Sequence, residues 1–432
     1  MRNKLLITKE TLRTSFLGCY DAMDHFKTPN IDKYASKGTL FNNYYTAAPS
    51  TSMSISAMFT GQNPYQTDNK IFAKTDSKIT KSSNYFTILE EKGYKTNIIW
   101  SSFFMNLAYQ YVDIFTENTK IHPLEGVITH INKSITKDSP NDDKTAWKHF
   151  DKLKEICENT KEPLFAWIHF PHVLNPTDGW ISDINLFDSV VGDIIDFFDG
   201  DIYISADHGY DYGEKGNFNY GWNVYDGSTR IPLITPRISG IKEYNGLVSS
   251  TQLLDIILDK PIEEREFVYS DTQYYGQPDR KLMIRKGSFK YIYNKRQDSE
   301  ELYDVDFDPF ERINLLLRTW YSDKRRVNYP LEGLYYYNNW EGAKSAYIEL
   351  KAEKDRIWRS DNFLNYNLSM IKIEFYSLLE EVKKKGLLRT IKSLFVRNIN
   401  WSVAKIKYKD QSTLSGRWGC KKARISAPIL EH

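Results

Sequence analysis

Several groups of side chains in this sequence have the types and spacing that chemistry needs. An apolar run over residues 201–206 ends in Asp207-His208-Gly209. A strand that ends this way presents a carboxylate and an imidazole side by side, and the glycine permits the turn that aims both at one point. The same three residues also suit a turn around a structurally satisfied histidine. A second group is Ala48-Pro49-Ser50-Thr51-Ser52, which runs into an apolar face at Ile55, Met58 and Phe59 and stops at Gly61. This predicts a loop that becomes a helix, with a hydroxyl at the N-terminus, where free N–H groups and the helix dipole favour an anion. A plain N-cap is the alternative. Glu10 follows the short apolar run 5–8, so it is either a carboxylate at the carboxyl end of a parallel strand, the edge that open α/β sheets use for ligands, or a solvated charge. His169 and His172 stand at the end of the apolar run 163–170.

The elements that must carry these groups alternate between strand and helix. Residues 30–37 predict a short helix with Ile31 and Tyr34 inward, and 41–46 a connecting strand or loop. The stretch 85–100 reads as helix, glycine stop at Gly93, then strand. Residues 101–145 are polar and weakly periodic, which predicts loops and an insertion. An amphipathic helix over 147–157 places Phe150, Leu153 and Ile156 on one face, and further helices are expected at 188–198 and 248–258. A hairpin turns at Lys286-Gly287. Beyond about residue 320, Tyr and Trp are frequent up to Trp358, helical segments follow, and 383–424 is rich in Lys and Arg.

The chain has 432 residues, enough for a large core, and a net charge of +2, which provides no global basic field for nucleic acid. Three widely spaced cysteines, Cys19, Cys157 and Cys420, form neither a disulfide framework nor a zinc pattern and fit a reducing compartment. No apolar run reaches the ~18 residues of a membrane span, and residues 5–8 are too short for a signal-peptide core. A cytoplasmic protein is the expectation.

Asn30-Ile31-Asp32-Lys33-Tyr34-Ala35-Ser36-Lys37-Gly38, with Thr28-Pro29 before it and Phe41-Asn42-Asn43-Tyr44-Tyr45 after it, resembles the sulfatase-like branch of the alkaline phosphatase superfamily. The resemblance continues through Asp207-His208-Gly209, Tyr225-Asp226-Gly227-Ser228-Thr229-Arg230-Ile231-Pro232 and Glu301-Leu302-Tyr303-Asp304, and covers residues 4 to about 316. It implies a doubly wound, mainly parallel α/β sheet flanked by helices, with a small C-terminal antiparallel subdomain. The boundaries expected are 1–260 for the catalytic domain, 261–320 for the subdomain, and 321–432 for a helical, basic C-terminal region.

In that family the nucleophile lies ten residues before the glycine of a Thr-Gly pair, which is Thr51 here. True sulfatases carry a cysteine or serine there that is converted to formylglycine, within a pattern containing a proline or alanine and an arginine. Met53 and Ile55 occupy those two places, and threonine cannot give the aldehyde. Threonine there is more similar to the nucleotide pyrophosphatase/phosphodiesterases, lipoteichoic acid synthases and lipid A phosphoethanolamine transferases, and Glu10 resembles the pattern of the last two. The resemblance thus implies Glu10, Thr51, Asp207 and His208 as ligands of one divalent ion, with Thr51 as nucleophile and His172 beside it in catalysis. Carboxylate and alkoxide oxygens with one imidazole suit Mn²⁺, Zn²⁺ or Mg²⁺ alike. His169, Lys215 and Arg230 are assigned to substrate binding, Lys215 standing where many relatives have a histidine. Arg230 equally suits a structural ion pair.

The expected activity is transfer of a phosphoglycerol- or phosphoethanolamine-type group through a covalent phospho-threonine. The donor would be a phospholipid or a nucleotide-linked group and the acceptor a surface glycan, with no nucleic acid involved. A phosphodiesterase would share every residue and use water instead, and a sulfuric ester hydrolase is the remaining alternative. The basic tail suits either peripheral contact with the inner face of a membrane or a solvated helix.

Overall fold

The structure, a computed structural model, describes residues 1–23, 25–66, 85–101, 115–124, 144–171, 180–213, 215–216, 218–272, 280–316 and 337–360. His172 and the basic stretch 383–424 lie outside the described residues. The chain divides into two compact units, Met1–Asp211 with Asn219–Ile357, and Tyr212–Phe218 with Trp358–His432.

The first unit is organised on β1 (Asn3–Lys9), whose Leu5, Leu6 and Ile7 are fully buried. After it come α1 (Pro29–Lys37), β2 (Thr39–Phe41), β3 (Tyr44–Tyr45), α2 (Thr51–Thr60), α3 (Tyr85–Glu91), β4 (Lys95–Ser101) and β5 (Lys120–Leu124). Then follow α4 (Lys144–Asn159), β6 (Leu164–Phe170), α5 (Trp180–Phe197), β7 (Gly200–Ala206), β8 (Asp211–Tyr212), β9 (Phe218–Asn219), α6 (Asp226–Thr229), β10 (Leu233–Thr235) and β11 (Glu243–Tyr244). The main sheet has the order β11-β2-β10-β7-β1-β6-β4-β5. Its centre is parallel, and β10 runs antiparallel to both neighbours. Continuous apolar strands such as β6, buried at every position, are what a sheet covered on both faces requires. The mainly parallel α/β fold class is as expected.

Register levels three strand ends. Lys9 pairs with Phe170 on one side and Ala206 on the other, so Glu10, Pro171 and Asp207 leave the sheet along one carboxyl edge. Lys9 itself turns to the α5 side, where its ammonium lies 2.8 Å from Asp183 and donates to Pro171 O at 3.1 Å. On the opposite side α2 packs its Phe59 on Trp167 of β6 at 4.5 Å.

The remaining elements are β12 (Val248–Ser249), α7 (Leu253–Ile257), β13 (Val268–Thr272), β14 (Lys281–Lys286), β15 (Phe289–Asn294), β16 (Ser299–Asp304) and α8 (Trp340–Ser360). Strands β13 to β16 form a four-stranded antiparallel sheet in sequence order. The hairpin closes with Lys286 opposite Phe289, and Gly287 supplies the positive φ of 53° that the turn needs. Met283, Ile292 and Tyr303 of this sheet form one core with Tyr45 and Val224. Beside that core Lys290, fully buried, sits between Asp226 at 2.7 Å and Glu311 at 2.8 Å.

Local expectations needed four corrections. Residues 120–124, read as part of a loop insertion, form β5, the edge strand paired with β4; its exposed and half-buried side chains carry little apolar signal. Helix α5 starts at Trp180, well before 188, because Trp180 stacks near Phe16 at 5.3 Å and Asp183 pairs with Lys9, both tertiary contacts. The segment 248–258 is not one helix: β12 leads into a 3-10 turn, Ser250–Gln252, started by a reciprocal capping box between Ser249 and Gln252, and α7 follows. Helix α2 is buried all round, not along one face.

Candidate active site

Thr51 is the first residue of α2. Ser50 occupies the N-cap with extended backbone but makes no side-chain cap, and Gly61 ends the helix in the left-handed region at φ 68°. The Thr51 hydroxyl is therefore not consumed in capping. It lies 3.1 Å from His208 Nε2. The other ring nitrogen, Nδ1, lies 2.8 Å from Gly209 O. A carbonyl can only accept, so Nδ1 carries the proton and Nε2 presents a lone pair, which takes the Thr51 hydrogen. Tyr220 stacks on the imidazole at 4.6 Å.

Asp207 is held from several sides. Its Oδ1 accepts from Thr11 N at 3.2 Å and His208 N at 2.8 Å, and its main-chain carbonyl accepts from Thr46 Oγ1 at 2.8 Å and from Ser54 Oγ. Thr11 reaches this position with a positive φ of 62°, a strained value for a β-branched residue. Gly209 makes the turn possible for a steric reason: a Cβ there would meet Gly227 O at 2.1 Å. Its N–H donates to Ser228 O at 2.9 Å, and Tyr210 N donates to Gly227 O at 2.8 Å, which pins the Asp-His pair against the loop around α6.

Burial dominates the electrostatics. It raises the Asp207 carboxyl to about 7, opposed by hydrogen bonds from the backbone and the weaker pull of the Thr51 hydroxyl. Burial lowers His208 to about 4, against the raising influence of the Gly209 hydrogen bond and the Glu10 charge. The 3.4 Å approach of His208 Nε2 to Asp207 Oδ2 is thus a contact between neutral groups from about pH 4 to about 7, and no ion pair. By hydrogen-bond geometry Asp207 Oδ2 is buried without a donor, even though the Thr51 hydroxyl is near enough to influence it. A lone-pair nitrogen, an orphaned carboxylate oxygen and a hydroxyl that converge in this way fit a divalent cation. Among the described residues, no set of three or more His, Cys, Asp or Glu side chains converges as a ready-made metal centre.

Glu10 is buried at the end of β1, with its N–H on Phe170 O at 2.9 Å, and its charge is felt at His208. His169, fully buried on β6, has Nδ1 2.8 Å from Thr8 Oγ1, which also accepts from Trp167 Nε1 at 2.8 Å. Burial, with His208 and Lys9 nearby, holds His169 well below its ordinary range. At neutral pH it is an uncharged hydrogen-bonding group. Arg230 is half-buried and donates through Nε to Asn42 O at 2.9 Å; it lines a polar cleft that none of Glu10, Thr51, Asp207 or His208 lines. Among the described residues it makes this backbone bond and no ion pair, where a structural ion pair was expected. Lys215 belongs to the second unit, half-buried in a turn closed by Gly216 N on Gly213 O at 3.0 Å.

Sequence reasoning did not single out Thr46, Ser54, Thr8 or Tyr220, which hold the Asp207 carbonyl, orient His169 and stack on His208. Each lies 8 to 161 residues from some of its partners, and no local pattern marks such residues.

Residues 2–178 match the Sulfatase family model. Asp207 and His208 lie beyond that stretch. No curated protein matches the sequence. Among solved structures, a 2-O GAG sulfatase is similar at TM-score 0.64 and 16% identity, over 84% of this chain and 94% of that one. A protein solved with its substrate D-glucosamine-2-N,6-O-disulfate is similar at TM-score 0.61 and 15% identity, over 84% of this chain and 99% of that one. The phosphonate monoester hydrolase of Agrobacterium radiobacter is similar at TM-score 0.55 and 14% identity, over 75% of this chain and 94% of that one. At these identities the likeness speaks for the fold. Taken with the family model matched over residues 2–178, it supports a place for the chain in the sulfatase-like branch of the alkaline phosphatase superfamily.

Proposed function

We propose that this protein is a metal-dependent phospho-group transferase of the phosphoglycerol or phosphoethanolamine type, with Thr51 as its nucleophile. The family match supports an ester-processing enzyme of the superfamily in general. The observation that carries the finer reading is the uncapped Thr51 hydroxyl at the N-terminus of a buried helix, 3.1 Å from an imidazole nitrogen whose tautomer is set by Gly209. Threonine is not a precursor of the formylglycine aldehyde that sulfatases use, so the proposed nucleophile is the unmodified Thr51 hydroxyl.

Asp207, His208 and Thr51, with Glu10, would hold one divalent ion of the Mn²⁺, Zn²⁺ or Mg²⁺ kind. When bound, such an ion lowers the pKa of a coordinated hydroxyl and neutralises phosphoryl oxygens. Thr51 Oγ then bonds to phosphorus as the bond to the donor alcohol breaks, and the alcohol leaves with a proton. The N–H groups at the start of α2 face the non-bridging oxygens, where charge develops. His169, neutral and fixed by Thr8, contributes a hydrogen bond without charge. His172 is the proposed second catalytic group, and Lys215 and Arg230 are proposed substrate contacts. In the second half, a hydroxyl of the glycan acceptor attacks phosphorus, the Thr51 Oγ–P bond breaks, and the acceptor's proton returns to solvent or to Thr51. The donor is proposed to be a phospholipid or a nucleotide-linked group. Peripheral membrane contact through the basic tail and a cytoplasmic location complete the proposal; no helix among the described residues is long and apolar enough to cross a membrane.

The test is turnover of aryl phosphodiester, phosphomonoester and sulfate ester by the purified chain with each metal in turn, alongside Thr51→Ala. Diester cleavage that needs both metal and Thr51 is the expected result. Sulfate-ester turnover that survives Thr51→Ala overturns the nucleophile and the mechanism together.

A further inference from the structure

We propose that the cleft between the outer edge of the main sheet and the antiparallel sheet is a second binding site, for a neutral saccharide. The cleft has a volume of about 440 Å³, within the roughly 300–1,000 Å³ of small-ligand pockets. Asn42 and Asn43, in the turn after β2, form one wall; Arg230, Arg285 of β14 and Asp306 after β16 form the others.

The donors are fixed and underused. Arg230 spends Nε on Asn42 O, and its terminal nitrogens have no acceptor among the described residues. Arg285 is buried, with Nε on Gly287 O at 2.9 Å and one terminal nitrogen on the Tyr45 hydroxyl, which leaves its second terminal nitrogen without a protein acceptor among the described residues. Asp21, Glu243 and Asp306 line the same space, Glu243 also accepting from Asn42 Nδ2 at 3.2 Å. Asp226, the fourth acid, is already committed to Lys290 at 2.7 Å and to the Tyr45 hydroxyl at 3.0 Å.

This balance selects the ligand class. An anion would meet three carboxylates not engaged by Lys290 against two guanidiniums. A cation would meet the two guanidiniums. An apolar group would strip water from polar walls with nothing in return. A neutral molecule with adjacent hydroxyls satisfies both sets, because a vicinal diol accepts from a planar guanidinium and donates to a carboxylate. None of Glu10, Thr51, Asp207 and His208 lines the cleft, and Arg230 is the one proposed substrate contact that does, so the site stands whether or not Thr51 is a nucleophile.

The experiment is calorimetric titration of the full chain with sucrose, maltose and N,N′-diacetylchitobiose, and with inorganic sulfate as the anionic probe. The variants are Asp306→Ala and Arg230→Gln, with Thr51→Ala as the control for the other site. Saturable binding of at least one disaccharide, weakened about tenfold by each cleft variant, as for loss of a hydrogen bond to a charged group, and unchanged in Thr51→Ala, is the expected result. Absence of saturable disaccharide binding, binding indifferent to both cleft variants, or sulfate displacing the sugar each overturns the proposal. Circular dichroism of Arg230→Gln checks its fold, and Asp306 is exposed, so its truncation keeps the test valid on its own.

Discussion

The Thr51 hydroxyl and His208 Nε2 lie 3.1 Å apart, across 157 residues of sequence, with His208 Nδ1 held by the carbonyl of the next residue. Two groups that are unremarkable alone thereby become an oriented pair: the imidazole has one tautomer, and its lone pair points at the hydroxyl. The experimental consequences differ for the hydroxyl, the carboxylate, the turn that carries them and the subdomain that braces the loop.

Thr51→Ser keeps an oxygen in place and should retain diester cleavage within about tenfold. Thr51→Ala removes the proposed nucleophile and should lower kcat by at least about a thousandfold, with unchanged circular dichroism. Steady-state kinetics on an aryl phosphodiester separates the two. Equal losses in both variants would assign Thr51 to packing.

Asp207 should make stability depend on pH and metal in opposite senses. Its folded pKa, about 7, is raised above the ordinary carboxyl value, so its contribution is in place below about pH 4 and is lost as pH rises through about 7. His208, lowered to about 4, acts the other way: its contribution is present above about pH 6.5 and is lost as pH falls toward 4. In chelator, Asp207→Asn should therefore raise Tm at pH 8 by several degrees, and its Tm should climb between pH 4 and 6.5. Added Mn²⁺ should restore the wild-type advantage, because the ionised carboxylate then has a cation to serve. Differential scanning calorimetry with and without Mn²⁺ checks both signs; a variant stabilised by Mn²⁺ as much as wild type would remove Asp207 from the ligand set.

Gly209→Ala places a methyl 2.1 Å from Gly227 O, a backbone atom that cannot move aside cheaply. The expected cost is about 1–3 kcal/mol by denaturant unfolding, as for other overpacked sites. Diester cleavage should fall as well, since the same turn aims Asp207 and His208. A fully active Gly209→Ala protein would show that the turn tolerates rearrangement.

Lys290→Met should leave the buried Asp226 and Glu311 without the ammonium between them, at a cost of about 3–5 kcal/mol. Glu311 is already raised to about 7 by burial, so the variant's loss should shrink as pH falls and that carboxyl takes a proton. Urea titrations at pH 6 and pH 8 measure the difference. A pH-independent loss would point to cavity formation alone.

Much of this was legible in the residues themselves. The apolar runs at 5–8, 163–170 and 201–206 became the three central strands because a strand covered on both faces has to be apolar throughout. Gly61 ended the helix that Thr51 begins and Gly287 turned the hairpin, since positive φ is a local requirement that composition reveals. Asp207-His208-Gly209 could likewise be read as a pair aimed at one point. The tertiary structure alone decided what these groups face. The level register of Lys9, Phe170 and Ala206 sets the edge on which Glu10 and Asp207 emerge, and hydrogen bonds across more than 150 residues hold the Asp207 carbonyl. Strand β5 and the early start of α5 were illegible because their stabilising partners lie elsewhere in the chain. Backbone preference and burial periodicity are written locally; the pairing of side chains depends on which strands become neighbours.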